Sequence, residues 1–158
     1  WQTVGVGLTF FLLLAGLWQL LWHCDISSVS DLFDTEKLKL FVTGMLDFSK
    51  NKQHLSTYEL SVFFTFFVLL QFWNLFNAKA LGSNRSAFRH FLQDKGMQLV
   101  LLLVLAGQWL IVTFGGEMFR TQPLSLKEWA IIIGSTSLVL WAGELYRAVR
   151  RAMCHQEE

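Results

Sequence analysis

The sequence predicts an all-α, multi-pass membrane protein: a four-transmembrane-helix segment with a short amphipathic helix in its first outer loop. Hydrophobic residues make up 53% of the 158-residue chain and charged residues only 16%, whereas soluble domains carry about a quarter charged residues. Four segments are nearly free of charge, and each has about the 17–25 residues that a membrane helix needs. A chain of this size cannot bury four helices that are apolar on every face.

The first span is predicted at about residues 3–22. It lacks the basic N-terminal stretch of a signal peptide, and three further spans follow it. The chain begins at Trp1 rather than at Met, already inside this apolar segment. We therefore expect it to be a piece of a longer protein.

The connection at residues 23–56 contains the amphipathic helix. Its apolar residues recur at helical spacing, and Asp34 precedes them as an expected N-cap. They are Leu38, Phe41, Val42, Met45 and Leu46. About eleven residues are too few to cross a bilayer. We expect this helix to lie on the membrane interface or on the end of the bundle, with a polar loop over 49–56.

The other spans are predicted at about 57–78, 97–115 and 128–148. Gly115 and Gly116 end the third span, and Pro123 follows in what we expect to be a tight turn. The fourth span contains the small residues 134–137 and, lower down, Gly143. Small residues let membrane helices approach closely, so we expect them to pack against other helices.

The distribution of basic residues predicts the orientation. The loop 79–96 has four basic residues against a single acid, and the C-terminal tail has three arginines next to the last span. Because cytoplasmic loops are enriched in Lys and Arg, we place this loop and the C-terminus in the cytoplasm. Loops 23–56 and 116–127 then face outside.

The polar residues at membrane depth are the candidate functional residues. Gln71 and Asn74 are three residues apart and share a helix face, whereas Asn77 lies about 120° from Gln71. Amides are costly in hydrocarbon, so hydrogen bonds to neighbouring helices are the plain interpretation. The functional alternative is an ion-pathway role in which Gln71 and Asn74 supply oxygens near a cation.

Two further residues are predicted to make polar contacts between helices. Gln108 lies in the middle of the third span, and Glu144 lies near the inner end of the fourth. Glu144 is expected to pair with Arg147 or to reach the interface, and a proton or cation role is its alternative. Soluble catalytic motifs and metal-ligand spacings are absent from the sequence, so no catalytic or metal site and no nucleic-acid partner is predicted.

Several stretches resemble the last four membrane helices of P-type calcium-transporting ATPases, nearest to the plasma-membrane type and its bacterial relatives. They are Phe64-x-x-Phe67-Val68-x-x-Gln71, Asn74-x-x-Asn77-Ala78-Lys79, Gly82 to Phe88, Phe114-Gly115-Gly116-x-x-Phe119, Pro123-Leu124-x-Leu126-x-x-Trp129 and Gly143-Glu144-Leu145. Order and spacing agree over about residues 57–148. The first span is generic, and the first loop matches poorly.

The resemblance implies that residues 1–158 form the C-terminal membrane domain of a plasma-membrane pump that exports calcium and uses ATP, Mg and Ca. The phosphorylation motif Asp-Lys-Thr-Gly and the nucleotide domain are absent from this sequence. The chain would therefore hold no cofactor and be inactive alone. It would form the supporting half of the transmembrane domain, with the pump's remaining helices, its cytoplasmic domains and the lipid bilayer as partners.

Gln71 aligns with a Glu that serves as a calcium ligand in the two-site pumps of the family. A neutral amide is a weaker ligand for a divalent ion than a carboxylate. We therefore predict that Gln71 is not a primary ligand and that the pump moves one calcium per cycle.

Two alternatives remain open at this point. The chain could be a free-standing four-helix membrane scaffold or interaction protein. It could also be a small ion-conducting protein in which Gln71, Asn74 and Glu144 line the route.

Overall fold

The computed structural model describes residues 2–24, 27–44, 54–81 and 87–154, and the regular structure in these ranges is helical. The helices are α1 (Gln2–His23), a 3-10 turn (Val29–Phe33), α2 (Thr35–Gly44), α3 (Thr57–Lys79), α4 (Ala87–Gln93), α5 (Lys95–Phe114), α6 (Gly116–Phe119), α7 (Leu126–Thr136) and α8 (Leu138–Cys154). Within the described ranges, four helical segments are long and apolar enough to cross a membrane: α1, α3, α5, and α7 together with α8. The predicted fold class is confirmed.

Capping boxes set where two of the spans begin. The Ser56 hydroxyl accepts a hydrogen bond from the backbone N–H of Glu59, and the Glu59 carboxylate accepts one from the backbone of Ser56. Ser125 and Glu128 form the same reciprocal pair at the start of α7. Each box satisfies backbone donors that the first helical turn leaves without a partner, so it fixes the starting residue of the helix.

The short helix of the first connection runs from Thr35 to Gly44. Asp34 directly precedes it, and its carboxylate accepts a hydrogen bond from the backbone N–H of Glu36 at 3.0 Å. Met45, Leu46 and residues 49–53, which belonged to the predicted helix and loop, lie outside the described residues.

Helix α3 is the centre of the bundle. It packs against α1, α4, α5, α7 and α8, and it is the most buried of the four spans. Its residues Val62, Leu69 and Leu70 have almost no exposed surface. Because α1 and α5 flank it and expose much more of their apolar surface, α3 is the helix whose polar side chains meet the most neighbours.

The fourth span is divided at Ser137 into α7 and α8. Three successive hydroxyls bond back to carbonyls of their own helix: Ser135 to Ile131 at 2.9 Å, Thr136 to Ile132 at 2.7 Å and Ser137 to Gly134 at 2.6 Å. Such bonds compete with the regular backbone ladder and bend helices. The fourth span predicted at about 128–148 lies within the apolar helical segment Leu126–Met153.

Candidate functional site

Helix α3 is tied to two neighbouring helices by buried or half-buried polar contacts. The Gln108 side chain of α5 donates a hydrogen bond from Nε2 to Thr65 Oγ1 at 3.1 Å, and both residues are buried. Two turns further along α3, Trp73 Nε1 donates to Thr136 Oγ1 at 3.1 Å. These bonds connect α3 to α5 and to α7 in the middle of the bundle.

Asn77 makes the third connection, to α8, and it uses both ends of its amide. Its Nδ2 donates to the backbone carbonyl of Val139 at 2.7 Å, and its Oδ1 accepts from Arg147 Nη2 at 3.1 Å. The side chain is almost fully buried. Since each half of the amide has its own partner on α8, the orientation of Asn77 is fixed.

Arg147 is the most unusual residue of the bundle because its side chain is fully buried. Its Nη2 also donates to Glu144 Oε1 at 2.9 Å, one helical turn back along α8. Its Nε and Nη1 have no acceptor among the described residues. A buried charge is costly unless it is paired, so Glu144 and Asn77 are what make this position tolerable for a guanidinium.

Glu144 extends the contact to a third element. Its Oε1 accepts a hydrogen bond from the backbone N–H of Ala87 at 2.8 Å, and Ala87 is the first residue of α4. We call Asn77, Glu144, Arg147 and the N–H of Ala87 the Arg147 cluster. It joins the end of α3, the middle of α8 and the start of α4, the helix in the second loop (residues 79–96).

The Arg147 cluster depends on a glycine. A Cβ atom at Gly143 would collide with the side-chain oxygen and Cγ of Asn77. Gly134, on the same span, has open space where its Cβ would be. Of these two glycines, therefore, only Gly143 lies where α3 and α8 approach each other closely.

The structure separates the three amides of α3. Gln71 is exposed, Asn74 is half-exposed and Asn77 is buried in the Arg147 cluster. Asn74 and Asn77 line a cleft of about 170 Å³ between α1 and α3, with Thr3 and Gly7 opposite. Within the described ranges, no three His, Cys, Asp or Glu residues are grouped closely enough to hold a metal ion.

Both ends of the second loop are joined by an ion pair. Lys79 Nζ lies 2.7 Å from Asp94 Oδ2, and the Lys79 ammonium lowers the pKa of Asp94. Asp94 also caps α5 by accepting from the backbone N–H of Met97 at 3.0 Å. Because both side chains are substantially exposed, the pair contributes little to stability.

Sequence reasoning counted Arg147 among the three arginines of the tail and expected it as a partner of Glu144, whereas the structure buries it within α8. It missed the contacts of Arg147 with Asn77 and of Glu144 with Ala87, which bring together residues 57 to 70 positions apart. The available signal was the Arg itself, three residues after an acid on a helix that also carries Gly143.

Comparison with protein families gives a match that covers most of the chain. The family described as "Cation transporting ATPase, C-terminus" matches residues 1–149. No solved structure matches the chain at a significant level.

Individual relatives match about half of the chain. It is 36% identical over 77 residues to calcium-transporting ATPase PAT1 of Dictyostelium discoideum, covering 48% of this chain and 7% of the relative. It is 31% identical over 91 residues to plasma membrane calcium-transporting ATPase 1 of Homo sapiens, covering 56% of this chain and 7% of the relative. It is 28% identical over 78 residues to plasma membrane calcium-transporting ATPase mca-1 of Caenorhabditis elegans, covering 48% of this chain and 6% of the relative.

The alignments therefore reach only a small part of each relative's length. The resemblance seen in the motifs and the family match agree, and both concern the membrane helices. The chain belongs to the C-terminal family of the cation transporting ATPases.

Proposed function

We propose that this chain is the supporting half of the transmembrane domain of an ATP-driven calcium exporter and is not active alone. The family match over residues 1–149 carries the proposal, and relatives named as calcium-transporting ATPases favour calcium as the ion. In this role the four spans would brace the ion-binding helices while those helices move between inward-facing and outward-facing states.

The internal bracing of the bundle supports a structural role. Helix α3 is hydrogen-bonded to α5 through Gln108, to α7 through Trp73 and to α8 through Asn77. Buried polar contacts between membrane helices each contribute about 0.5–2 kcal/mol. Together they favour a bundle that moves as one body.

The exposed amides of α3 are proposed to face the rest of the membrane domain. Gln71 is exposed at membrane depth and Asn74 is half-exposed beside it. An exposed amide in hydrocarbon is costly, so it calls for a protein partner or a water-filled path. We propose that this face meets the remaining transmembrane helices close to the ion pathway, with Gln71 and Asn74 behind the primary ligands.

The proposed orientation follows the basic residues. Loop 79–96 and the C-terminus would lie in the cytoplasm, and loops 23–56 and 116–127 outside the plasma membrane. ATP and Mg would then be held by cytoplasmic domains beyond this chain, and Ca by other membrane helices. These domains and helices are the proposed partners.

Sequencing the gene upstream of Trp1 tests the proposal. We expect an open frame of several hundred codons that encodes Asp-Lys-Thr-Gly, and the intact product should form a calcium-dependent phosphoenzyme. A start codon immediately before Trp1 would contradict the proposal and favour a free-standing membrane protein.

A further inference from the structure

We propose that Arg147 is a positioning residue that holds the helix of the second loop, α4, against the membrane bundle. It acts through Glu144 and is itself held by Asn77. The inference rests on the geometry of the Arg147 cluster, and it holds whether or not the chain works in a pump.

The first step is that α4 cannot stand alone. It has only seven residues, Ala87–Gln93, and isolated helices of this length are unstable in water. Its position must therefore come from tertiary contacts. Among the described residues the structure shows three kinds. The Ala87 N–H donates to Glu144, and Gln98 Nε2 of α5 donates to the carbonyls of Phe91 and Leu92 at 2.9 and 3.4 Å. Phe88 and Phe91 also pack on Phe76 at ring-centroid distances of 6.0 and 5.2 Å.

The second step is that Arg147 stabilises Glu144 as the acceptor for Ala87. Glu144 is largely buried, with 14% of its side chain exposed. A charged carboxylate in such a place is costly, and an adjacent cation offsets that cost. Arg147 supplies such a cation at 2.9 Å from Glu144 Oε1, and the same oxygen accepts from the Ala87 N–H of α4.

The third step is that Arg147 is oriented from the other side by Asn77. One nitrogen, Nη2, contacts both Glu144 and Asn77, and Asn77 is in turn anchored to the Val139 carbonyl. A planar guanidinium can serve two acceptors in fixed directions, whereas a lysine ammonium at the end of a flexible stem is held far less firmly. Movement of α3 relative to α8 would therefore change the support of α4.

Hydrogen exchange in the full chain, reconstituted in lipid nanodiscs, tests the proposal. The readout is the exchange rate of the α4 amides, compared with those at the opposite end of α3, Thr57–Thr65. The test variants are Arg147→Met, Glu144→Ala and Glu144→Gln. Arg150→Met is the matched control because Arg150 is exposed on the same helix.

We expect Arg147→Met and Glu144→Ala to raise the exchange of α4 at least about tenfold while Thr57–Thr65 stays protected. Glu144→Gln keeps an acceptor for the Ala87 N–H but leaves Arg147 without its anion, so the exchange of α4 should lie between that of Glu144→Ala and that of the wild type. If α4 in Glu144→Ala exchanges at the wild-type rate, the aromatic packing and the hydrogen bonds from Gln98 position it without Glu144, and the proposal is wrong. If α4 in Arg147→Met exchanges at the wild-type rate, Arg147 does not position it and the proposal is wrong. If that variant unfolds the whole bundle, Arg147→Lys decides instead, because it keeps the charge but holds Glu144 less firmly and should still raise the exchange of α4.

Discussion

Asn77 of α3 occupies the space that any side chain at Gly143 of α8 would need. The same Asn77 bridges the Val139 carbonyl and the Arg147 guanidinium. The missing side chain at position 143 therefore makes room for the amide that holds α3 and α8 together. A methyl group added at position 143 should therefore disturb both the packing of α3 on α8 and the hydrogen bonds of Asn77.

Gly143→Ala is expected to lower the free energy of unfolding by about 1–3 kcal/mol, since the added Cβ overpacks a buried contact. Asn77 would have to move, and it would lose hydrogen bonds that it cannot replace in the bundle interior. Unfolding of the chain in mixed detergent micelles measures this free energy.

Gly134→Ala is the matched control because it adds the same atom to the same span where there is open space. It should be neutral or raise the free energy of unfolding by up to about 1 kcal/mol, as alanine favours helix more than glycine does. Equal destabilisation by both substitutions would show that the Asn77 contact is not the cause.

The bond between Gln108 and Thr65 should appear in a double-mutant cycle. Thr65→Val leaves the Gln108 amide without its buried partner, and Gln108→Leu does the reverse. Buried hydrogen bonds between membrane helices couple by about 0.6 kcal/mol on average and up to about 1.7. We expect a coupling energy of about 0.5–1.5 kcal/mol from unfolding of the two single variants and the double variant. Additive effects would mean that the two side chains do not interact.

Asp31 provides a pH-dependent test in the first connection. Its hydrogen bond from Lys37, at 2.8 Å, lowers the pKa of the carboxyl from 3.8 to about 2. A lowered folded-state pKa stabilises the fold above the unfolded pKa, and this contribution is lost as the pH falls from about 4 to about 2. Carbon NMR of the Asp31 carboxyl should titrate near pH 2, and Lys37→Met should move the midpoint upward. An unchanged midpoint in that variant would exclude Lys37 as the cause.

The amides of α3 should differ sharply in their effect on stability. Asn77→Ala leaves the buried Arg147 with one acceptor fewer, and breaking such a cluster costs about 2–4 kcal/mol. Gln71→Ala removes an exposed side chain and should change the free energy of unfolding by less than about 0.5 kcal/mol. Unfolding of the Asn77→Ala and Gln71→Ala variants in mixed detergent micelles measures both changes in the free energy of unfolding. A large effect of Gln71→Ala would mean that it packs within this bundle.

Four helices long and apolar enough to cross a membrane could be predicted from the sequence, because length and hydrophobicity are properties of the local segment. The position of Asp34 before α2 was also readable, since capping is local. The break at Ser137 was harder to foresee, because hydroxyls in a helix bend it only when they bond to their own backbone.

The Arg147 cluster could be predicted only in part. The pair of Glu144 and Arg147 follows from their spacing of three residues on one helix. The contacts of Asn77 and Ala87 depend on how α3, α4 and α8 pack, and no local pattern encodes that packing. For the same reason, sequence grouped Gln71 with Asn74 but could not show that Gln71 is exposed and Asn77 is buried.

The number of calcium ions bound per phosphoenzyme, measured in the intact protein, tests the central claim most directly. The claim is that this bundle supports the ion site without supplying a primary ligand, and it predicts one calcium per phosphoenzyme in both the wild type and Gln71→Ala. Two ions per phosphoenzyme, or loss of the bound ion in Gln71→Ala, would contradict it.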